Sequence, residues 1–457
     1  MSKSAKNQTQ KEKIGVVRFW TWNARSASAA VQAIIIGYIS FYCTDVHQLN
    51  PAIVATLLMA TKLVDSVTDI LAGYLIDITK TRFGKARPYE LGVLGLWLCT
   101  WLLFSVPADM ANVYKYVWVA VFYTLSQSVF YTVLTANETA YMVRAFNNQE
   151  HYVTISSLGG LITVAGVAVF NVVFPSFAEN AGTNAGAWSL MVAVLAVPLA
   201  VIGMLRFFFV KEIYSVDTKG ERVRFTDVIT LFKTNKYIWS IALLLFVSNL
   251  ATGMGASVYY YTYVIGNLSL MGTVSLFSVV TMFTMALYPV LLKKITTKQL
   301  IMVGCFAYII GGIIFFLTQS GFAFLAVATI LTGMGSLPIT MMVKLLQVEC
   351  ADYNEWKGNQ RMEGSIGSLS GFAIKVGAAF GTFLAGILLA VSGYVGGTDV
   401  LPDSALLMIR MLMGIVPSLG FVLDIFVLHF FYDLDKKIVD IRAELEKRRS
   451  GNPSETV

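Results

Sequence analysis

Residues 237–292 read YIWSIALLLFVSNLATGMGASVYYYTYVIGNLSLMGTVSLFSVVTMFTMALYPVLL and contain no charged side chain. A helix needs about 20 mostly apolar residues to cross the hydrocarbon core of a bilayer, so this stretch is long enough for two spans. Residues 299–343 are also uncharged and are long enough for two more. Together the two stretches predict a protein that crosses a membrane several times.

The composition of the whole chain agrees with this prediction. The chain has 457 residues, of which 56% are hydrophobic and only 13% are charged, whereas roughly a quarter of the residues in a soluble domain are charged. We therefore predict an all-α membrane protein with twelve transmembrane helices. The predicted spans are about 26–46, 52–78, 89–107, 115–142, 152–175, 187–210, 238–265, 271–292, 299–318, 321–347, 364–392 and 405–431.

The basic residues are concentrated on one side of these spans. They lie at the N-terminus, in the loop 80–87, in the stretch 211–236 and in the C-terminal tail. Because Lys and Arg are retained on the cytoplasmic side, we expect a cell-membrane protein with both termini in the cytoplasm. The net charge of +7 follows from this topology and requires no nucleic-acid partner. The lipid bilayer is the expected surrounding, and the chain is expected to act as a monomer.

The longest polar interruption, 211–236, divides the chain into six spans and six spans. The predicted organisation is an N-terminal half (1–210), a cytoplasmic central loop, a C-terminal half (237–431) and a cytoplasmic tail (432–457). This layout is typical of transporters built from two repeated halves, whose substrate site lies near the bilayer midplane.

The sequence contains little that would support catalysis. Its four cysteines form no Cys-x-x-Cys pair, and its three histidines are scattered without ligand spacing. The spans contain no convergent nucleophile or metal-ligand cluster of the kind a membrane enzyme would need. We therefore expect a protein that is not an enzyme and has no cofactor other than a coupling ion.

The second predicted span is unusual because it carries charge. Residues 57–77 read LLMATKLVDSVTDILAGYLID, with four ionisable groups: Lys62, Asp65, Asp69 and Asp77. On a helix, Asp65 and Asp69 lie about 40° apart and one turn from each other, with Thr68 on the adjoining edge. A charge at the bilayer centre costs roughly 2.5–3.5 kcal/mol or more. The pair of carboxylates therefore requires a positive partner.

Three positive partners are consistent with this pattern. The first is a lysine, either Lys62 one turn away or Lys375 in the eleventh span. The second is a hard monovalent cation, which oxygen ligands on one helix face suit. The third is a proton, since burial and a neighbouring carboxylate both raise a carboxyl pKa. Asp77 lies closer to the basic loop, where interfacial pairing explains it.

Two longer stretches resemble a known family. Residues 41–92, FYCTDVHQLNPAIVATLLMATKLVDSVTDILAGYLIDITKTRFGKARPYELG, contain Thr44-Asp45, two aspartates four apart and the basic sequence Gly84-Lys85-Ala86-Arg87-Pro88. Residues 349–381, ECADYNEWKGNQRMEGSIGSLSGFAIKVGAAFG, contain an acidic and basic cluster followed by a lysine in a span. Both resemble the glycoside–pentoside–hexuronide:cation symporters, which belong to the major facilitator superfamily and are built from two six-helix halves.

The resemblance implies a coupling-cation site. In that family a sodium ion or a proton is held by groups that match Asp65, Thr68, Asp69 and Thr132 here. The sugar-binding positions match less well: Ala29, Thr135, Thr139 and Thr340 stand where the galactoside carriers have other side chains, while Tyr131 and Lys375 are retained. The resemblance thus implies cation-coupled uptake of a sugar, glycoside or hexuronide. A cation-coupled carrier of a non-sugar solute, an organic anion or a lipid-like molecule, is the alternative.

Polar groups inside apolar spans are the candidate substrate ligands, because amides, hydroxyls and carboxylates bind sugar hydroxyls. They are Gln32, Gln127, Tyr131, Thr135, Asn137, Glu138, Asn249, Gln347 and Lys375. Tyrosines near span ends, such as Tyr263, are typical of the membrane interface. Ion pairs between the halves are expected to gate the cytoplasmic side. The candidates are Asp77, Arg82, Lys85, Arg87, Asp352, Glu355 and Arg361.

Overall fold

The computed structural model describes residues 14–79, 81–146, 149–213, 235–285, 287–359, 362–398 and 400–450. Almost all of these residues are helical, and the strand-like pairing among them is the isolated bridge between Thr81 and Gly84. The predicted all-α fold is confirmed. Most of the predicted central loop lies outside the described residues.

Twelve long helices follow one another along the chain. They are α1 (Val16–Val46), α2 (Pro51–Ile78), α3 (Gly92–Leu103), α4 (Asn112–Glu138), α5 (Gln149–Ala181), α6 (Ala185–Phe209), α7 (Lys236–Val264), α8 (Ser269–Leu291), α9 (Thr297–Leu317), α10 (Phe322–Trp356), α11 (Glu363–Val391) and α12 (Asp403–Phe431). The turns of α4 continue to Ala145, and a shorter helix, α13 (Ile438–Ser450), follows α12.

The described residues contain 10 helices that are long and apolar enough to cross a membrane. The two others are α2, which carries the charges already noted, and α3, which a 3-10 turn at Arg87–Leu91 extends. Together they make the twelve predicted spans. The bounds differ from prediction where a helix leaves the bilayer, since α10 continues past residue 347 to Trp356.

Three helices contain π-helical turns: Tyr42–Val46 at the end of α1, Leu125–Tyr131 within α4, and Tyr260–Val264 at the end of α7. Such turns are rare and are frequent at functional sites, because they redirect side chains that a regular helix would place elsewhere. Here they lie beside the polar groups that connect the two halves.

The six helices of each half pack mainly on one another, and the most extensive helix contacts between the halves in the described part of the chain are those of α2 with α11 and of α5 with α8. We call the side of the molecule where α1 begins and α12 ends the terminal face, and the side where α1 ends at Val46 the opposite face. On the terminal face, α13 packs against the end of α10 by burying Ile441 and Leu445 and by pairing Arg442 with Asp352 at 2.8 Å.

Candidate functional site

Asp65 lies where α2 meets α11 and has partners from both halves. Its carboxylate accepts a hydrogen bond from the Thr132 hydroxyl of α4 and lies 3.0 Å from the ammonium of Lys375 on α11. The Thr68 hydroxyl donates instead to the backbone carbonyl of Asp65, at 3.0 Å. The side chain of Asp69 lies outside the described residues. The structure therefore brings Thr132 to the Asp65 carboxylate, as predicted for a shared cation site, while the Thr68 hydroxyl binds the backbone.

The chemistry of this group suits a small hard cation. Carboxylate and hydroxyl oxygens are the ligands that hard cations prefer, and the Asp65 side chain remains 21% exposed, so water and ions reach it. In this state the Lys375 ammonium supplies the positive charge. A coupling cation and the ammonium would thus compete for the same carboxylate.

Lys62 makes a second connection between α2 and α11. Its ammonium donates to the Thr382 hydroxyl at 2.9 Å, and Thr382 donates in turn to the carbonyl of Ala378 at 3.0 Å. Each half thus contributes one lysine to the other across this interface. Sequence spacing suggested Asp65 as the partner of Lys62, but its hydrogen-bond partner is the Thr382 hydroxyl of the other half.

Glu138, a predicted substrate ligand, belongs to a buried ion network in the first half. Its carboxylate lies 2.8 Å from the Arg206 guanidinium and 3.1 Å from that of Arg25. Arg25 also pairs with Glu90 at 3.2 Å, and Asn137 donates to Glu90 at 2.8 Å. Arg206 and Glu90 are completely buried. The sequence reasoning missed both arginines and Glu90; their signal was opposite charges near the ends of neighbouring spans.

Three of the predicted substrate ligands, Gln32, Asn137 and Glu138, therefore bind side chains of neighbouring helices in this state. Buried polar groups are nearly always hydrogen-bonded. The amide nitrogen of the completely buried Gln32 donates to Thr100 at 2.9 Å and to Ser126 at 3.1 Å, whereas its side-chain oxygen has no partner among the described residues. Asn137 is equally buried, and Glu138 neutralises two arginines. Other helices therefore bind the nitrogens of Gln32 and Asn137 and the carboxylate of Glu138 in this state, and contact of these residues with substrate stays a prediction.

The remaining substrate candidates lie on more accessible surfaces. Tyr131 and Gln127 are half-buried on α4, and Thr135 is exposed one turn beyond Tyr131. Gln347 is half-buried on α10, and Asn249 lines a cavity inside the second half. Contact of these five residues with the substrate remains a prediction.

On the opposite face, one carboxylate of the first half is held by the second half. Asp45 is 1% exposed and accepts hydrogen bonds from the Tyr394 hydroxyl at 2.7 Å and from the Tyr263 hydroxyl. The neighbouring Thr44 donates to Asp45 at 2.6 Å and lies 3.1 Å from the Tyr259 hydroxyl. Sequence analysis gave Asp45 no role and placed Tyr263 at the membrane interface; the structure shows that the two residues close this face.

A second contact closes the same face between α5 and α8. Glu179 at the end of α5 accepts hydrogen bonds from the backbone N–H groups of Leu268 and Ser269, at 3.2 and 3.1 Å, where α8 begins. A carboxylate at a helix N-terminus also interacts favourably with the helix dipole. Gly272 packs directly on the carbonyl of Val172, where any larger side chain would clash. The halves are therefore closed together on the opposite face.

On the terminal face, the gating candidates Lys85 and Arg87 make contacts within the first half. The backbone N–H groups of Lys85 and Arg87 donate to the carboxylate of Glu212 at 3.0 and 2.6 Å, beside Gly84, whose φ of 115° suits glycine. The Arg87 guanidinium donates to the carbonyl of Phe207 at 2.7 Å. Sequence reasoning missed Glu212, which follows α6.

The other gating candidates are distributed as follows. Arg82 stacks on the Phe83 ring at 4.7 Å, Asp352 pairs with Arg442, and Glu355 occupies the last turn of α10. The side chains of Asp77 and Arg361 lie outside the described residues. The predicted gating pairs between the halves therefore stay a prediction for another conformational state.

Comparison with known proteins gives a consistent result. A family model described as MFS/sugar transport protein matches residues 24–436. The isoprimeverose transporter of Lactiplantibacillus pentosus is 26% identical over 434 residues, which cover 92% of this chain and 88% of that protein. The uncharacterized symporter YnaJ of Bacillus subtilis (strain 168) is 26% identical over 461 residues, covering 98% and 97%.

The fold is shared with solved transporter structures. A bacterial homologue of the human lysosomal transporter Spinster, in an inward-facing and unoccupied conformation, aligns with a TM-score of 0.65 at 12% identity, covering 94% of this chain and 99% of that one. At such low identity the match establishes the fold alone.

Proposed function

The chain belongs to the family of MFS/sugar transport proteins, and we propose that it couples the uptake of a sugar or glycoside to a sodium ion or proton bound at Asp65. The geometry around Asp65 carries this proposal, because one carboxylate is shared by a hydroxyl of the same half and an ammonium of the other. The protein is a multi-pass membrane transporter rather than an enzyme.

Names of related proteins support this function over the alternative of a non-sugar solute. One relative is named for a disaccharide, isoprimeverose, and another is named a symporter. The family description itself specifies sugar transport. An organic anion or a lipid-like substrate is therefore not favoured.

The orientation in the cell membrane is part of the proposal. With the basic loops retained inside, the terminal face is cytoplasmic and the opposite face is extracellular. The state described here is then closed to the outside by the contacts of Asp45 and Glu179. Outward opening requires these contacts to break while the halves separate around the site at Asp65.

The residues around Asp65 suggest how the cation drives this cycle. In the absence of a cation, Lys375 neutralises Asp65 across the interface between the halves. A cation that binds Asp65, Thr132 and the neighbouring Asp69 would displace the ammonium and leave its N–H groups available to substrate hydroxyls. Binding of the cation thereby raises affinity for the sugar, which is the coupling that symport requires.

The proposal is tested with Asp65→Asn in proteoliposomes. We expect the variant to lose sugar accumulation driven by a sodium or proton gradient, while the purified protein keeps its helical content and monodispersity. Asp109→Asn, which changes an exposed carboxylate between α3 and α4, is the matched control and should transport normally. Accumulation by Asp65→Asn at the rate of the parent protein would overturn the proposed function.

A further inference from the structure

Two adjoining cavities lie inside the second half. The larger is about 310 Å³ and is lined by residues of α7, α8, α9, α10 and α12. The smaller is about 170 Å³ and is lined by residues of α7, α10, α11 and α12. Thr252 and Ser336 line both, so the cavities meet between α7 and α10.

The cavity walls present hydrogen-bond acceptors. Thr252 donates its hydroxyl proton to the carbonyl of Ser248 at 3.0 Å, and Thr332 and Thr340 likewise donate to carbonyls of their own helix, at 2.9 and 3.2 Å. A hydroxyl has one proton and two lone pairs. Since each proton is donated within the helix, these hydroxyls can offer a ligand only their lone pairs, as acceptors. A matching ligand must donate several O–H groups.

Asn249 adds a stronger acceptor to the smaller cavity. Its amide nitrogen donates to the carbonyl of Leu245 at 2.8 Å, which leaves the side-chain oxygen for a ligand. The rings of Tyr308 and Phe421 stack with centroids 3.7 Å apart, and Tyr308 lines the larger cavity while Phe421 lines the smaller one. Acceptors combined with aromatic rings suit a sugar ring.

The charge of the cavity lining restricts the class of ligand that can bind in these cavities. Among the described residues, those that line the two cavities include no Asp, Glu, Lys, Arg or His. A carboxylate inside them would lose its hydration without gaining a positive partner, and burying an unpaired charge is costly. The lining therefore favours a neutral polyol over a hexuronide.

The cavities adjoin the proposed transport site. Ile374, which lines the smaller cavity, precedes Lys375 on α11. Met254 and Leu412 line the larger cavity and also a narrow cavity between the halves that includes Thr382, the partner of Lys62. A molecule held near Asp65 could thus extend into the second half.

From this arrangement we infer that the two cavities form a subsite for the second sugar ring of a neutral glycoside, whose first ring is held near Lys375. The inference rests on the proposed function and specifies its substrate class. The combined space falls within the range of roughly 300–1,000 Å³ that is common for small-molecule sites, and Ser336 lies where its two parts meet.

Ser336→Leu tests the subsite, because the larger side chain fills the junction. Purified protein in sodium buffer is titrated with neutral disaccharides (isoprimeverose, melibiose and lactose), with xylose, glucose and galactose, and with glucuronic acid. We expect at least one disaccharide to bind the parent protein and to lose affinity tenfold or more in Ser336→Leu. Monosaccharide affinity should stay within twofold. Thr273→Leu, an exposed position of α8 outside both cavities, is the control.

Ser336→Cys provides a second measurement that does not depend on tolerance of leucine. The four natural cysteines are buried, so maleimide labelling should report the new thiol, and a bound disaccharide should slow its labelling more than a monosaccharide does.

Equal disaccharide affinity in Ser336→Leu and the parent, or equal protection of the thiol by both sugar classes, would overturn the subsite but leave symport intact. Tighter binding of glucuronic acid than of any neutral sugar would do the same. Failure of every sugar to bind, with or without sodium, would overturn the proposed function too.

Discussion

The Tyr394 hydroxyl lies 2.7 Å from both carboxylate oxygens of Asp45 and shares its one proton between them, although the two residues are 349 positions apart in the chain. Asp45 ends the first helix of one half, and Tyr394 follows the eleventh helix in the other. A hydrogen bond to a charged group contributes about 1.5–3 kcal/mol. This contact is therefore strong enough to bias the protein between its two transport states.

Weakening this contact should open the opposite face. The test uses a Ser40→Cys background, which places a thiol in the narrow cavity beneath the closure. Adding Asp45→Asn should increase labelling of this thiol by a membrane-impermeant maleimide about tenfold, which corresponds to a shift of about 1.4 kcal/mol in the equilibrium between the closed and open states. Tyr394→Phe should act in the same direction. Tyr116→Phe is the control, since that hydroxyl binds Asn50 within the first half on the same face. Unchanged labelling with Asp45→Asn would show that the contact does not hold the face closed.

Removing the internal competitor should strengthen cation binding. Lys375→Gln takes the ammonium away from Asp65. We therefore expect the apparent sodium affinity to rise several-fold and coupled sugar uptake to fall. The sodium affinity is measured by calorimetry or by sodium-dependent thermal stabilisation. Lys62→Gln is the matched control because its ammonium binds Thr382. Sodium affinity that is equal to or weaker than that of the parent would contradict competition between ammonium and cation.

Breaking the buried network should lower stability. Glu138→Gln leaves the completely buried Arg206 without its nearest countercharge, and removing one partner of a buried ion pair costs about 3–5 kcal/mol. We expect a clear fall in the unfolding temperature in detergent. Lys236→Gln, which breaks an exposed pair with Asp433, should cost no more than about 1 kcal/mol. A Glu138→Gln variant with normal stability but no sugar binding would instead restore Glu138 as a substrate ligand.

Acid should weaken the opposite face through His47. Burial, together with the charge of Lys115, lowers the pKa of His47 to about 4 from its ordinary value of 6.5. Between pH 6.5 and 4 the unfolded chain therefore binds a proton that the folded chain does not, and stability falls as the pH falls through that range. Melting temperatures of His47→Gln should depend less on pH in this window than those of the parent; parallel pH profiles would exclude this role.

Hydropathy predicted the helices well because a membrane span is decided locally. Each helix satisfies its own backbone hydrogen bonds, so about 20 consecutive apolar residues are enough to specify it. The second span was also identifiable, although Lys62 and its aspartates interrupt the apolar pattern. Helix ends were less predictable, since α10 continues to Trp356, where α13 covers its last turns.

Partners of the charged groups were only partly predictable. Helical spacing placed Thr68 beside Asp65, but its hydroxyl turns to the backbone of its own helix, as Ser and Thr often do. Glu138 was assigned to substrate because it is a polar group inside an apolar span, and its partner Arg206 lies 68 residues away.

The sequence by itself determined twelve spans, the division into two halves of a transporter, and a charged second helix that requires a positive partner. Only the tertiary structure decided which partner it has: Lys375 from the other half at Asp65, and the Thr382 hydroxyl at Lys62. It also decided that Asp45 closes the opposite face. The physical reason is the separation of the interacting residues along the chain. A helix forms from residues that are neighbours in sequence. An ion pair or a hydrogen bond between helices instead depends on which distant residues the packing brings within about 3 Å of each other.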